Sequence, residues 1–215
     1  MRINELVLEA VDLERQRAFY VEALGLPVLD APESMLCVGV GSGRLVFRQG
    51  PGAREGGYHY AFTIPENQIQ AARAWLAERA ALLADAAGNE VFFFEGWDAH
   101  AIYCLDPDGN IIELIARHTL ANPSDAPFDP SQILGISEIG VVATDVPALA
   151  AALQTQTGTG VYGVGGPTFT ALGDHHGLLI LVPPGRTWFP TRDHLATPLP
   201  LRVTVEPGGD LSFEC

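Results

Sequence analysis

The chain has 215 residues, 47% apolar and 18% charged, and its 26 acidic against 12 basic side chains give a net charge of -14. That balance repels phosphate backbones and anionic membrane surfaces, which argues against nucleic acid or a membrane as partner. No apolar run approaches the roughly 18 residues of a membrane-crossing helix, no apolar signal core follows the opening Met-Arg-Ile-Asn-Glu, and a soluble cytoplasmic protein is the expectation.

Residues 5–10 alternate, with Leu6, Leu8 and Ala10 on one face and Glu5, Val7 and Glu9 on the other, the signature of a strand with one face on a core. Asp12 is placed to cap a helix whose buried side carries Leu13, Ala18, Tyr20, Val21 and Leu24, and Gly25 ends it. Segments 26–29, 35–40 and 44–48 then read as three short strands, so the order is βαβββ. After a Gly/Pro/charged linker at 49–57 the order repeats. A strand at 59–64 precedes a helix opened by Pro65-Glu66 and running to Ala81, followed by strands at 91–94, 101–105 and 110–115. Residues 118–132 form a Pro- and Asp-rich connector.

A third pass begins with a strand at 138–143 and a helix capped by Thr144-Asp145 that reaches Leu153. Strand candidates follow near Tyr162, at 169–172 and at 178–182, and the last segment, 201–206 with 211–214, has room for a hairpin but no helix. The repeat therefore predicts an α+β fold of paired βαβββ units forming half-barrel cups, the last unit truncated. Its expected organisation is one module over 1–117, a connector over 118–132, and a shorter module over 133–215. Cys37, Cys104 and Cys215, widely spaced and odd in number, suggest neither a disulfide framework nor a zinc site.

The stretch Ile102-Tyr-Cys-Leu-Asp-Pro-Asp-Gly-Asn-Ile-Ile-Glu-Leu-Ile115 reads as a complete hairpin, and Glu113 stands in it among Ile111, Ile112, Leu114 and Ile115. An uncompensated charge there would cost several kcal/mol by order of magnitude, so the residue is solvated, paired or bound to something.

Leu8-Glu-Ala-Val-Asp-Leu-Glu14, Ala18-Phe-Tyr20 and Leu24-Gly-Leu26, together with Tyr103-Cys-Leu-Asp-Pro-Asp-Gly-Asn-Ile-Ile-Glu-Leu114, resemble the vicinal oxygen chelate superfamily. That group holds glyoxalase I, bleomycin- and fosfomycin-resistance proteins and extradiol dioxygenases. The resemblance covers 1–117 well and 133–215 more loosely. It implies that two units pair into a cup whose first and last strands carry metal ligands. On that basis His59 and Glu113 match ligand places, Glu5 falls where the family usually has His or Gln, and Phe47 or Arg48 falls where no ligand is supplied. Unit three puts Glu138 in the first-strand place, read here as a structural counterpart of Glu5. Alternation independently sets Glu5, His59 and Glu113 opposite Leu6/Leu8, Tyr60/Phe62 and Ile112/Leu114.

One imidazole and two carboxylates would suit Fe²⁺, Mn²⁺ or Zn²⁺; the competing reading of His59 and Glu113 is a hydrogen-bonded pair in a wet cleft. His100 is a candidate proton carrier, against a rim residue, and Tyr103 a candidate donor to a substrate oxygen, against a core filler. Gly173-Asp-His-His-Gly177 reads as a hairpin turn, Trp188 and Phe189 beside Arg186 as a seal between the two halves, and Trp97 as a loop residue able to line a pocket. The resemblance thus points to a metal-dependent enzyme on a small oxygen-chelating substrate, a ring-cleaving dioxygenase ahead of a glyoxalase-type lyase or isomerase. The rival is a metal-free sequestering protein. The truncated fourth unit leaves a sheet edge for a second copy of the chain, as in a homodimer, or for a covering loop.

Overall fold

The computed structural model describes residues 1–214; Cys215 lies outside them. The first strand, β1 (Arg2–Ala10), begins at Arg2 rather than Glu5. Asp12 caps α1 (Leu13–Arg17) by accepting from the backbone N–H groups of Glu14 and Arg15 at 2.9 and 3.1 Å. The helix widens into a π turn over Ala18–Ala23 and stops at Gly25, whose φ of +72° suits a residue without Cβ. Strands β2 (Val28–Leu29), β3 (Met35–Val40) and β4 (Gly43–Gln49) complete the unit.

The second unit holds β5 (His59–Ile64), α2 (Ile69–Ala77), β6 (Phe92–Phe94), β7 (Ala99–Leu105) and β8 (Ile111–Arg117). Its helix is shorter than the apolar spacing predicts, because Pro65–Gln68 is spent on a turn in which the Gln68 N–H donates to the Pro65 carbonyl at 3.0 Å. The third unit holds β9 (Gly135–Val142), α3 (Val146–Thr157), β10 (Thr170–Asp174) and β11 (Gly177–Val182). The fourth is the hairpin β12 (Leu201–Glu206) and β13 (Gly209–Phe213), with no helix between them.

In each full unit the first strand runs parallel to the last: β1 with β4, β5 with β8, β9 with β11. Pairing between units crosses the expected division at the connector. β5 lies antiparallel to β9, so unit two pairs with unit three, while β1 lies antiparallel to β12, so unit one pairs with unit four. Among the described residues, the β1–β9 ladder that joins the two halves is one pair, Ile3↔Ile136. The connector explains the choice. Asn122 accepts from the Glu66 N–H at 3.0 Å, Asn67 and Gln68 donate to the Ser124 carbonyl at 3.1 and 3.0 Å, and the Leu134 N–H donates to Thr63 at 2.8 Å. Those bonds lay β9 alongside β5.

The alternation sorts the side chains as predicted. Leu6, Leu8, Tyr60, Phe62, Ile112 and Leu114 join the main core together with Tyr20, Trp75 and Leu153. Ala61, Tyr103, Ile115, Ile180 and Trp188 form a second cluster on the opposite, concave face. The hairpin carrying Glu113 is anchored by buried Asp106, which accepts from the Tyr20 hydroxyl at 2.9 Å and the Asn110 amide at 2.7 Å. No helix among the described residues is long and apolar enough to cross a membrane.

Candidate functional site

The cup of units two and three is organised around one small residue. Ala61 on β5 is opposite Glu113 on β8 and Glu138 on β9, so two carboxylates flank a methyl group in one row across three strands. His59, two positions earlier and therefore on the same face, brings its Nε2 to 3.1 Å from a Glu113 carboxylate oxygen. Tyr103 on β7 is opposite Glu113. Above this floor lies a cavity of about 570 Å³ walled by Phe94, Trp97, Phe169, Trp188 and Phe189, with Arg186 among its lining. The His59 ring meets Trp188 edge to face at a centroid distance of 5.0 Å, and Phe189 packs on Phe92, Phe94 and Tyr103.

A guanidinium lies buried beneath the floor. Arg117 at the end of β8 is fully buried and pairs through Nη2 with Glu138. Its Nε donates to the Ser137 hydroxyl at 3.4 Å, and its Cζ stands 5.2 Å from the Trp97 ring centre. A register shift in β9, between the pairs Ala61↔Glu138 and Phe62↔Ile136, leaves Ser137 as the extra residue and lets both neighbours serve Arg117. Burial pushes the Glu138 carboxyl up to about 8, with Arg117 opposing the rise and Glu113 adding to it. A guanidinium keeps its proton in proteins, so a neutral Glu138 would strand a bare buried cation; the pairing favours the carboxylate. Burial, then Glu113 and Glu138, hold the Tyr103 hydroxyl well above the ordinary phenol range, so it is a neutral donor.

His59, Glu113 and Tyr103 are thus brought together, and Glu5 is not. It sits on β1 in the other half, 3.1 Å from Arg44 and 3.7 Å from Arg202. The reason is the strand pairing: β5 takes β9 as neighbour, so the first-strand carboxylate beside His59 is Glu138, and the structural role expected of it gives way to a place in the cup. His100 lies on the other face of β7, where its Nδ1 is 2.8 Å from His118 Nε2 and its ring meets Phe93. Three positions separate it from Tyr103, and in a strand that odd spacing sends the two to opposite faces. Trp188 and Phe189 pack on His59, Phe92, Phe94 and Tyr103, sealing 133–215 against 1–117 as expected, and they also wall the cavity; Gly140 makes room, since a Cβ there would stand 2.6 Å from the Trp188 ring. Gly173–Gly177 is the β10–β11 turn, as read. The sequence reading leaves out Arg117, although its parity with Glu113 on β8 is a usable signal.

The donor set does not fit the three-ligand Fe²⁺, Mn²⁺ or Zn²⁺ site that the resemblance implies. His59 and Glu113 supply two donors, Glu138 is held by Arg117, and Ile180 occupies the unit-three place equivalent to Glu113. Among the described residues no group of three or more His, Cys, Asp or Glu could hold an ion.

No curated protein matches this sequence. Among solved structures, the chain is similar to a provisionally named dioxygenase of Bacillus subtilis, with TM-score 0.63 and 17% identity over 85% of this chain and 63% of that one. It is also similar to glyoxalase I from Zea mays, with TM-score 0.56 and 19% identity over 84% and 66%. The chain thus spans somewhat under two thirds of the length of each, and at these identities the likeness establishes the fold. The family model for the Glyoxalase/Bleomycin resistance protein/Dioxygenase superfamily matches residues 2–114, more than half of the chain, and the protein belongs to that superfamily.

Proposed function

We propose that the cup of units two and three binds a small planar molecule with a polar edge and does so without a metal ion. The observation that carries this reading is the cavity itself: aromatic walls of Trp97, Phe169, Trp188 and Phe189 over a floor where His59, Glu113 and Tyr103 converge. Aromatic walls supply apolar burial at low entropic cost, while a few convergent polar groups fix orientation. Glu113 orients the imidazole of His59, and an imidazole so held can take a proton from a bound molecule or return one, with Tyr103 donating to an oxygen or nitrogen on its edge. The chemistry this supports is cofactor-independent acid–base work on a bound small molecule.

A second reading keeps the metal: a ring-cleaving dioxygenase or glyoxalase-type enzyme with Fe²⁺, Mn²⁺ or Zn²⁺ on His59 and Glu113. One observation favours it, the approach of those two side chains to 3.1 Å from the first and last strands of one unit.

Titrating phenols, catechols and aromatic amines while following tryptophan fluorescence tests the first reading. Saturable binding to the wild type, weakened at least tenfold in Trp97→Ala and in Glu113→Gln, is expected. A panel that gives no saturable binding overturns it. Metal analysis of protein purified without chelator separates the second reading: one equivalent, lost in both His59→Ala and Glu113→Gln, would replace the first with it.

A further inference from the structure

We propose that Arg117 is a resident cation that closes this cup to divalent metal, so that one buried side chain decides whether the scaffold is a metal site. The inference rests on reading the cup of units two and three as the functional site.

Glu138, Ala61 and Glu113 form one row across three strands, with His59 on the same face of β5. Ala61 is fully buried and puts only a methyl between Glu138 and Glu113, so two carboxylates and an imidazole surround one small residue, a set of donor types that a borderline divalent ion takes. What removes Glu138 from that set is the guanidinium, whose Nη2 holds Oε1. Arg117 is built in, not incidental. Its side chain has no exposed surface, Ser137 accepts its Nε–H through the bulge in β9, and Trp97 covers the guanidinium carbon at 5.2 Å. Its Nη1 is buried with no partner among the described residues, so the guanidinium is fixed by two of its three nitrogens. A divalent ion held by His59 and Glu113 would face this charge in a poorly screening interior, lacking the third ligand and repelled at the same time. Among the described residues the unit-one/unit-four half contains no such device: there the first-strand carboxylate Glu5 meets arginines whose side chains are half exposed.

The experiment is to remove the guanidinium and look for metal. Wild type, Arg117→Leu, Arg117→Gln and the double variant Arg117→Leu/His59→Ala are each titrated calorimetrically with Mn²⁺ and with Zn²⁺. The expected result is no stoichiometric site in the wild type and one equivalent in the Arg117 variants. The gain should exceed the about 10- to 100-fold that a group beside a metal site commonly controls, and His59→Ala should abolish it. If Arg117→Leu needs metal to fold, an ion-dependent rise in its melting transition that His59→Ala removes is the same result.

Folded Arg117 variants that bind metal no better than the wild type overturn the proposal. So does a wild type that binds one equivalent through His59 with Arg117 in place. Should every Arg117 variant stay unfolded with and without metal, the wild type decides: an equivalent lost in His59→Ala overturns the proposal, and none upholds it. Failure of the aromatic ligands to bind, with gain of metal in the Arg117 variants, would remove the proposed function and leave this inference standing.

Discussion

Glu5 and Glu138 hold the same place in two copies of one repeat, the first strand of units one and three, and both are paired with arginine. Their surroundings set them apart. Glu5 and Arg44 keep 22% and 53% of their side-chain surface exposed, whereas Glu138 and Arg117 keep 5% and none. On its half, the concave face is filled by Val7, Cys37 and Val46 between the cross-strand pairs Glu5–Arg44 and Glu9–Arg48. In the other half the same face is hollow and walled by aromatic rings, and Glu138 of its ion pair lines the cavity with Arg117 buried behind it. The duplicated scaffold has been divided, with one half made into surface and the other into a pocket. The worth of an ion pair follows its burial, since exposed pairs contribute about 0–1 kcal/mol, while stranding one partner of a buried pair costs about 3–5 kcal/mol.

The largest effect is expected at Glu138. Glu138→Gln leaves Arg117 as a buried cation without its counter-ion, and urea denaturation should show a loss of about 3–5 kcal/mol. A loss below 1 kcal/mol would erase the distinction between the two halves. Next comes Gly140→Ala, which inserts a methyl 2.6 Å from the Trp188 ring. Overpacking of this kind costs about 1–3 kcal/mol, and because Trp188 walls the cavity, aromatic ligand affinity should fall along with the melting temperature. Unchanged affinity would mean that Trp188 is packing alone.

Much of this half was legible in the sequence because strand alternation is a strict period of two. It sent His59 and Glu113 to the face opposite Tyr60, Phe62, Ile112 and Leu114, as observed. The same rule, applied across the three positions from His100 to Tyr103, already separates those two. Which first strand would lie beside β5 was not legible. That choice depends on hydrogen bonds from the connector, such as Asn122 to Glu66 and Leu134 to Thr63, which leave no periodic trace. The resemblance therefore points Glu5 to a cup it does not enter and leaves Glu138 a structural role. Arg117 escaped notice because it ends a strand, where a basic residue reads as a solvated rim. Its parity with Glu113 sends it to the cup face, and the bulge in β9 brings the Ser137 hydroxyl to it.

Smaller effects sharpen the contrast from its other side. Glu5→Gln should lower stability by no more than about 1 kcal/mol, and by less in molar salt, where exposed charges are screened; a larger, salt-independent loss would make the first half as dependent on its ion pair as the second. The last expectation concerns His100, behind the cup wall. Burial, with the neighbouring His118 adding to it, holds its pKa below the ordinary 6.5, and Asp98 works against the shift. Between the two values the unfolded chain binds more protons than the folded one, so stability rises with pH across that window. The contribution is complete above about pH 6.5 and is lost as pH falls through the folded value. Melting temperatures followed from pH 7.5 to 5 should decline below that point, and His100→Ala should flatten the decline. Ligand affinity measured in the same series at pH 7.5 should not change on this substitution, because His100 faces away from the cavity; a loss of binding would place it in the site after all.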